Sequence, residues 1–393
     1  MIRTLRLDVD PNEAIWLPEN LSEAEKEEYR RTFWVSSVYC KIHKLSNGLL
    51  DSDLTHPTTP NSIMYQIEES TQTAPIVYLY HLLDVTADVL RYVTRTSSSN
   101  VLDNTPFTPL QKRLDSWHAT VPPILHLEFS DPNLPAKLTG VETSCRTLLN
   151  LFYHSTVCQL HRLRLYLSKS CTVSSTPQLT ISLVSVFQSA HHISNIARIL
   201  LPLIASDPEL YFYSYIPFFE AAVSLWFLAC RSRGDWIDEV LLATGGVGLD
   251  AEETESDSEV KQEAFSRGTD SRRTYATPEV GGGLEKFYRE LKYAVQNVLD
   301  ALRVFQEKME RNVVASKADL NFMASLTDEV VDHSLNLTSR VNFFTPLVHI
   351  VQVMVAEIET VCVGFEVKVQ PGMEAKVFDI PKPLVFLSLM FGE

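Results

Sequence analysis

Residues 210–232 read LYFYSYIPFFEAAVSLWFLACRS. Wound as a helix, this stretch is apolar nearly all round, and a helix without a polar face belongs at the centre of a packed protein. Glu220 interrupts the run before it reaches the roughly 18 to 20 apolar residues that a membrane span needs. A second apolar run, VNFFTPLVHIVQVMVA, contains Pro346 and His349 and stops at Glu357. Both read as buried core segments. The first residues, MIRTLRLDVDP, carry neither the apolar centre nor the small-residue cleavage site of a secretory signal. The expectation is a soluble protein with no membrane contact.

A buried central helix needs amphipathic neighbours, and the chain supplies them on both sides. Ser22 and Glu25 form a capping box, and Glu23, Glu25, Glu27 and Glu28 load the first turns, where the helix dipole favours acids. Trp34, Val38, Ile42 and Leu45 then recur on one helical face, and Asn47-Gly48 supplies a stop. Further helices are predicted in residues 74–96, 108–125 (stopped at Pro122-Pro123), 140–168 and 176–204 (ending near Pro202). In residues 284–312 the positions Leu284, Phe287, Leu291, Val295, Val298, Leu302, Phe305 and Met309 form one stripe. Two more helical segments fit 318–340 and 344–362. No strand or hairpin signal competes, and no fixed-period repeat points to a solenoid. The reading is an all-α, multi-helix bundle of roughly eight to eleven helices.

Composition changes near residue 243. The stretch DAEETESDSEVKQE holds seven acids and one lysine, and residues 244–283 as a whole are poor in large apolar side chains. Such a segment cannot bury enough surface to offset its ordering entropy, so it reads as a disordered acidic linker. The predicted division is a helical domain over 1–242, a linker over 243–283, and C-terminal helices with a tail over 284–393. Ser256 and Ser258, set among acids, are candidate phosphorylation sites for an acid-directed kinase.

The formal net charge of −15 argues against sequence-independent nucleic-acid binding, which relies on Lys and Arg neutralising phosphates. Six scattered cysteines read as thiols of a reduced intracellular protein, and without a Cys-x-x-Cys pair a structural zinc site has no support. Neither a Gly-x-Ser-x-Gly elbow nor a P-loop nor His-Glu-x-x-His is present. His191 and His192 are adjacent and point to different sides of their helix. His154 and His161 lie two turns apart and read as ordinary hydrogen-bonded histidines rather than metal ligands. Arg162 and Arg164 read as cations near a helix end, with an anionic ligand as the alternative. No catalytic residue, metal or cofactor is expected.

The order of four segments carries a resemblance. LRLDVDP followed by RRTFWVSSVYCKIHKLS, then LDSWHATVPPIL, then LLNLFYHSTVCQLHRLRL, then YIPFFEAAVSLWFLA resembles the regulatory region of fungal binuclear zinc-cluster transcription factors. The family pattern of Arg-Arg-x-x-Trp-Trp has Val35 at the second Trp. Lys41-Ile42-His43 replaces its Leu-Asp-Arg, and Leu163 stands where it has Pro. The family's six-cysteine DNA-binding cluster has no ligands in this chain. The resemblance marks Arg30, Arg31, Trp34, Trp117, His118, Tyr153, His154, His161 and Arg162 as structural or regulatory candidates. Arg30 and Arg31, beside Trp34, read as a pin to acids or helix-end carbonyls of a neighbouring helix, or onto the indole face.

The resemblance also implies an N-terminally incomplete domain. It implies transcriptional control through co-regulator proteins, the transcription machinery or a small-molecule effector. Direct DNA binding is not expected. A homodimer is left open. The nucleus is the implied location, or the cytoplasm if the chain is truncated. The alternatives are a stand-alone receptor or enzyme with an apolar pocket near Tyr153, His154, Tyr213 and Phe218, or a truncated product without function.

Overall fold

The computed structural model describes residues 10–15, 17–18, 20–46, 64–67, 70–73, 75–99, 104–127, 141–169, 177–208, 211–232, 236–237, 240–241, 280–323 and 331–366. The expected linker over 243–279 lies outside them, with Ser256 and Ser258, and so do Cys171 and the tail from 367. Among the described residues there are eight α-helices: α1 Glu23–Ser46, α2 Pro75–Ser99, α3 Asn104–Thr120, α4 Val141–Lys169, α5 Pro177–Ser206, α6 Tyr215–Cys230, α7 Val280–Met323 and α8 Val331–Glu366. The fold is all-α, at the lower end of the expected helix number. Short 3-10 turns at Pro123–Leu125 and Phe212–Ser214 precede α4 and α6.

The start of α1 is the capping box read from the sequence. Ser22 Oγ accepts from the Glu25 amide at 3.3 Å, and Glu25 Oε2 accepts from the Ser22 amide at 2.8 Å. The α1 stripe is buried at Trp34, Val38, Ile42 and Leu45 and packs on α2. Helix α6 is the centre. Every residue from Tyr215 to Ala229 is buried, and the helix touches α4, α5, α7 and α8. Its apolarity therefore has a partner on each side. Phe212–Cys230 and Thr345–Cys362 are both long and apolar enough by composition to cross a membrane, but the first is 89% buried inside the fold. In α7, Phe287, Leu291, Val295, Val298, Leu302 and Phe305 are buried as the stripe predicted, while the side chains of Leu284 and Met309 lie outside the described set. One continuous apolar cluster joins α1 to α8.

Four boundaries differ from the expectation. Helix α5 runs through Pro202 to Ser206, and α8 runs through Pro346. Both prolines are exposed, so water can take the carbonyl that each ring leaves unpaired and the helix survives. The segments expected at 318–340 and 344–362 are instead the end of α7 and the whole of α8. Helix α7 begins at Val280, inside the stretch read as linker, and takes in the three glycines after it. A two-stranded antiparallel hairpin, β1 Met64–Ile67 and β2 Ser70–Thr73, pairs Met64 with Thr73 and Ile67 with Ser70. Its second strand, STQT, has no apolar alternation, so periodicity could not reveal it.

Candidate functional site

Helix α4 carries most of the conspicuous side chains, and each faces a different neighbour. Toward its start, Asn150 fastens the 3-10 segment to it. Asn150 Nδ2 donates to the carbonyls of Leu125 and Arg146, both at 2.8 Å, and its Oδ1 accepts from the Leu127 amide at 3.2 Å. Arg146 also donates to the His126 carbonyl at 2.5 Å. Pro122-Pro123 ends α3 and starts this segment, so the chain doubles back over α4. The return brings the His126 ring to 4.6 Å from His118, which stacks on Tyr153 at 4.4 Å. Trp117 also stacks on Tyr153, at 5.8 Å, and its indole N–H donates to the Tyr78 carbonyl of α2 at 3.2 Å.

His154 extends the cluster to α5. It stacks on His192 at 4.7 Å and its Nδ1 lies 3.4 Å from Ser189 Oγ. Trp117, His118, Tyr153 and His154, singled out from separate segments, therefore meet, and His126 and His192 join them. Burial holds the His154 imidazole well below its ordinary range, helped by the charges of His192, His118 and His126. Burial also lowers His118, with His126 adding to it and Asp115 opposing, and pushes the Tyr153 phenol up to about 12. Burial thus favours the uncharged forms of His118, Tyr153 and His154.

Two turns further on, the same pattern repeats. His161 Nδ1 lies 3.1 Å from Ser182 Oγ, and the ring meets Phe107 edge-on at 5.3 Å. Burial lowers this histidine to about 4. Among the described residues no group of three or more His, Cys, Asp or Glu is arranged to hold a metal ion. His154 and His161 each lie within hydrogen-bond reach of a serine hydroxyl of α5.

Arg162 corrects an expectation. Helix α4 continues to Lys169, so Arg162 is not a helix-end cation. It reaches into the core, where its Nη2 lies 3.1 Å from Glu220 Oε2 on α6. Ser224 Oγ donates to the other Glu220 oxygen at 3.4 Å. Burial pushes the Glu220 carboxyl above its ordinary value, against the pull of Arg162 and the Ser224 bond. Arg164 is also turned inward, with its guanidinium 3.8 Å from the Phe107 ring centre.

Arg30 donates to Asp10 at 3.1 Å and to Glu27 at 3.4 Å, and Arg31 pairs with Glu27 at 3.5 Å. Asp10 belongs to the segment before α1, so Arg30 pins that segment down. Trp34 meets Tyr80 of α2 edge-on at 5.1 Å. One turn past Val38, buried Lys41 donates to Asp84 at 2.6 Å and lies 3.2 Å from the Tyr80 ring centre. Tyr213 packs on Tyr39 and Phe218 on Phe305, so the pocket expected from Tyr153, His154, Tyr213 and Phe218 has its side chains engaged in separate places. Of the five described cysteines, only Cys158 is buried; Cys40 is exposed.

The chain matches no family model, no curated protein and no solved structure.

The residues that sequence reasoning passed over are mostly the partners. Glu220 and Glu357 drew notice only as interruptions of apolar runs. Glu357 accepts from the Trp226 indole at 2.7 Å and from Arg231 at 2.6 Å, tying α6 to α8. A lone acid in an apolar helix is the signal that could have found Glu220, because a buried carboxylate requires a donor; Glu357 is only partly buried and is followed by Glu359. Asn150 and Asp84 carried no comparable signal.

Proposed function

We propose that the chain is a regulatory domain of the fungal zinc-cluster transcription factor type. It acts in the nucleus through co-regulator proteins or the transcription machinery, without catalysis and without touching DNA itself. The observation that carries this reading is how the four resembling segments spend their distinctive side chains. Arg30 of the first binds Asp10 just ahead of it, and Trp34 packs on α2. Trp117 of the second binds the backbone of α2, and His118 stacks on Tyr153 of the third. Arg162 of the third pairs with Glu220 of the fourth. Residues that hold one another in this way are needed for the shape of the bundle, whatever partner its surface meets. A catalytic reading would want a nucleophile, a base and an orienting group in mutual reach, with one face open to substrate. The strongly acidic overall charge agrees with action through proteins rather than through nucleic acid.

The test is a reporter experiment. The full chain is fused to an unrelated sequence-specific DNA-binding module in a fungal strain carrying the matching reporter. The expected result is a change in transcription, up or down, relative to the module alone. A well-expressed, folded fusion that leaves the reporter at the level of the module alone would reject the proposal.

A further inference from the structure

The second half of α2 and the first turns of α3 border a cavity of about 540 Å³, open on one side. Arg91, Arg95 and Asp88 supply its polar wall; Tyr92, Pro106 and Leu110 supply the apolar one. Both oxygens of Asp88 are already taken, one by Arg91 and the other by Arg113 of α3. Arg95 stands one helical turn beyond Arg91, on the same face of α2. It is exposed, and it makes no hydrogen bond or ion pair among the described residues. Arg164 of α4 lies against Phe107 of α3 and close enough to Tyr92, one of the lining residues, to interact with it electrostatically. Arg91 and Arg95 thus line the cavity and Arg113 shares the Asp88 carboxylate, so three guanidinium groups stand against one carboxylate in a chain whose formal charge is −15. The first turn of α3, with Pro106, also borders the space, and the amino end of a helix adds positive partial charge.

Local charge of one sign opposite to that of the whole protein concentrates counter-charged small molecules in a cleft. A guanidinium fork matches the geometry of a planar or tetrahedral oxyanion through two parallel hydrogen bonds. The volume suits a small molecule, since ligand cavities run from roughly 300 to 1,000 Å³. We propose that this cavity binds a small organic anion. Its carboxylate or phosphate head sits on Arg95 with support from Arg91, and its apolar body lies against Tyr92, Pro106 and Leu110. The inference does not depend on the transcriptional reading, because binding is measured on the isolated chain.

Isothermal titration calorimetry of the full-length chain tests it with four probes: 4-phenylbutyrate, phenyl phosphate, inorganic phosphate and the neutral 4-phenylbutanamide. At least one of the two organic anions should bind, and the stronger of them identifies the head group. The neutral amide should bind about tenfold or more weakly, as expected for loss of a charge-assisted contact. Arg95→Gln should weaken the anion by a similar factor while leaving the melting temperature unchanged, because Arg95 is exposed. Arg303→Gln, an exposed-side arginine on α7 already paired with Asp300, should change nothing. Leu110→Trp, which narrows the apolar wall, gives a second variant that should reduce binding. No heat with either organic anion, equal affinity for the neutral amide, or unaltered binding by Arg95→Gln would overturn the proposal. Inorganic phosphate binding as tightly as phenyl phosphate would overturn the part assigned to the apolar wall.

Discussion

Replacing Glu220 with glutamine should destabilise the bundle, and replacing Arg162 as well should restore most of the loss. The side chains of Arg162 and Glu220 are 10% and 2% exposed, and their closest N···O distance is 3.1 Å. Two unit charges about 4 Å apart attract by about 4 kcal/mol at the effective dielectric of ~20 that suits protein sites. Removing one partner also leaves the other buried without compensation, which typically costs about 3–5 kcal/mol. Glu220→Gln strands a guanidinium that cannot lose its proton, so it should fall in that range. Arg162→Met strands a carboxyl that burial already pushes upward, so this carboxyl can take a proton and the cost should be smaller. In the double variant neither charge remains, methionine fills the space of the arginine stem, and the net change should be small. The coupling energy of the cycle, the sum of the two single losses less that of the double, is then at least about 3 kcal/mol. Urea unfolding at pH 7, followed by tryptophan fluorescence and far-ultraviolet circular dichroism, reads all four proteins. Single variants within about 0.5 kcal/mol of wild type, or effects that add to within that margin, would refute the claim that the pair is buried and mutually dependent.

Acid should weaken the fold before most carboxylates titrate. His161 is lowered from 6.5 to about 4 by burial, and His154 and His118 are lowered for the same first reason. The unfolded chain takes up these protons near pH 6.5 and the folded chain resists, so stability is full above that pH and declines as pH falls toward 4. His161 contributes a slope of about 1.4 kcal/mol per pH unit within its window, or about 3 kcal/mol in all, and His154 and His118 act in the same direction. An unchanged urea midpoint between pH 7 and pH 5 would contradict this. Asn150→Ala should cost about 2–4 kcal/mol, because it leaves buried backbone groups of Leu125 and Leu127 without partners. Hydrogen exchange should rise in residues 123–127 in that variant, and unaltered protection there would argue against the staple. Trp34→Ala should cost about 3–5 kcal/mol in thermal or urea melting, since the ring is almost fully buried. Trp34→Phe should cost much less, because the Trp34 indole N–H has no acceptor among the described residues; equal losses from the two would refute this.

Helix was legible wherever the signal was local. The stripe from Trp34 to Leu45, the Ser22–Glu25 box, the apolar circumference of α6 and the stripe of α7 follow from spacings of three and four residues, and such spacings survive any tertiary arrangement. They made the all-α class readable from the chain alone. Helix ends and breaks were less legible, because Pro202 and Pro346 are tolerated only where their side of the helix meets solvent, and exposure is a property of the whole fold. The pairing of charges was not legible at all. Arg162 sits in a pattern that also fits a helix end, and nothing within a few residues points to Glu220. The same holds for Arg30 and Asp10, for Asn150 and the segment it holds, and for Arg113 of α3, which meets Asp88 of α2. Periodicity records which face of a helix avoids water, but it does not say which helix will cover that face. Burial decides that, by removing water as the alternative partner for each charge and leaving one donor in reach.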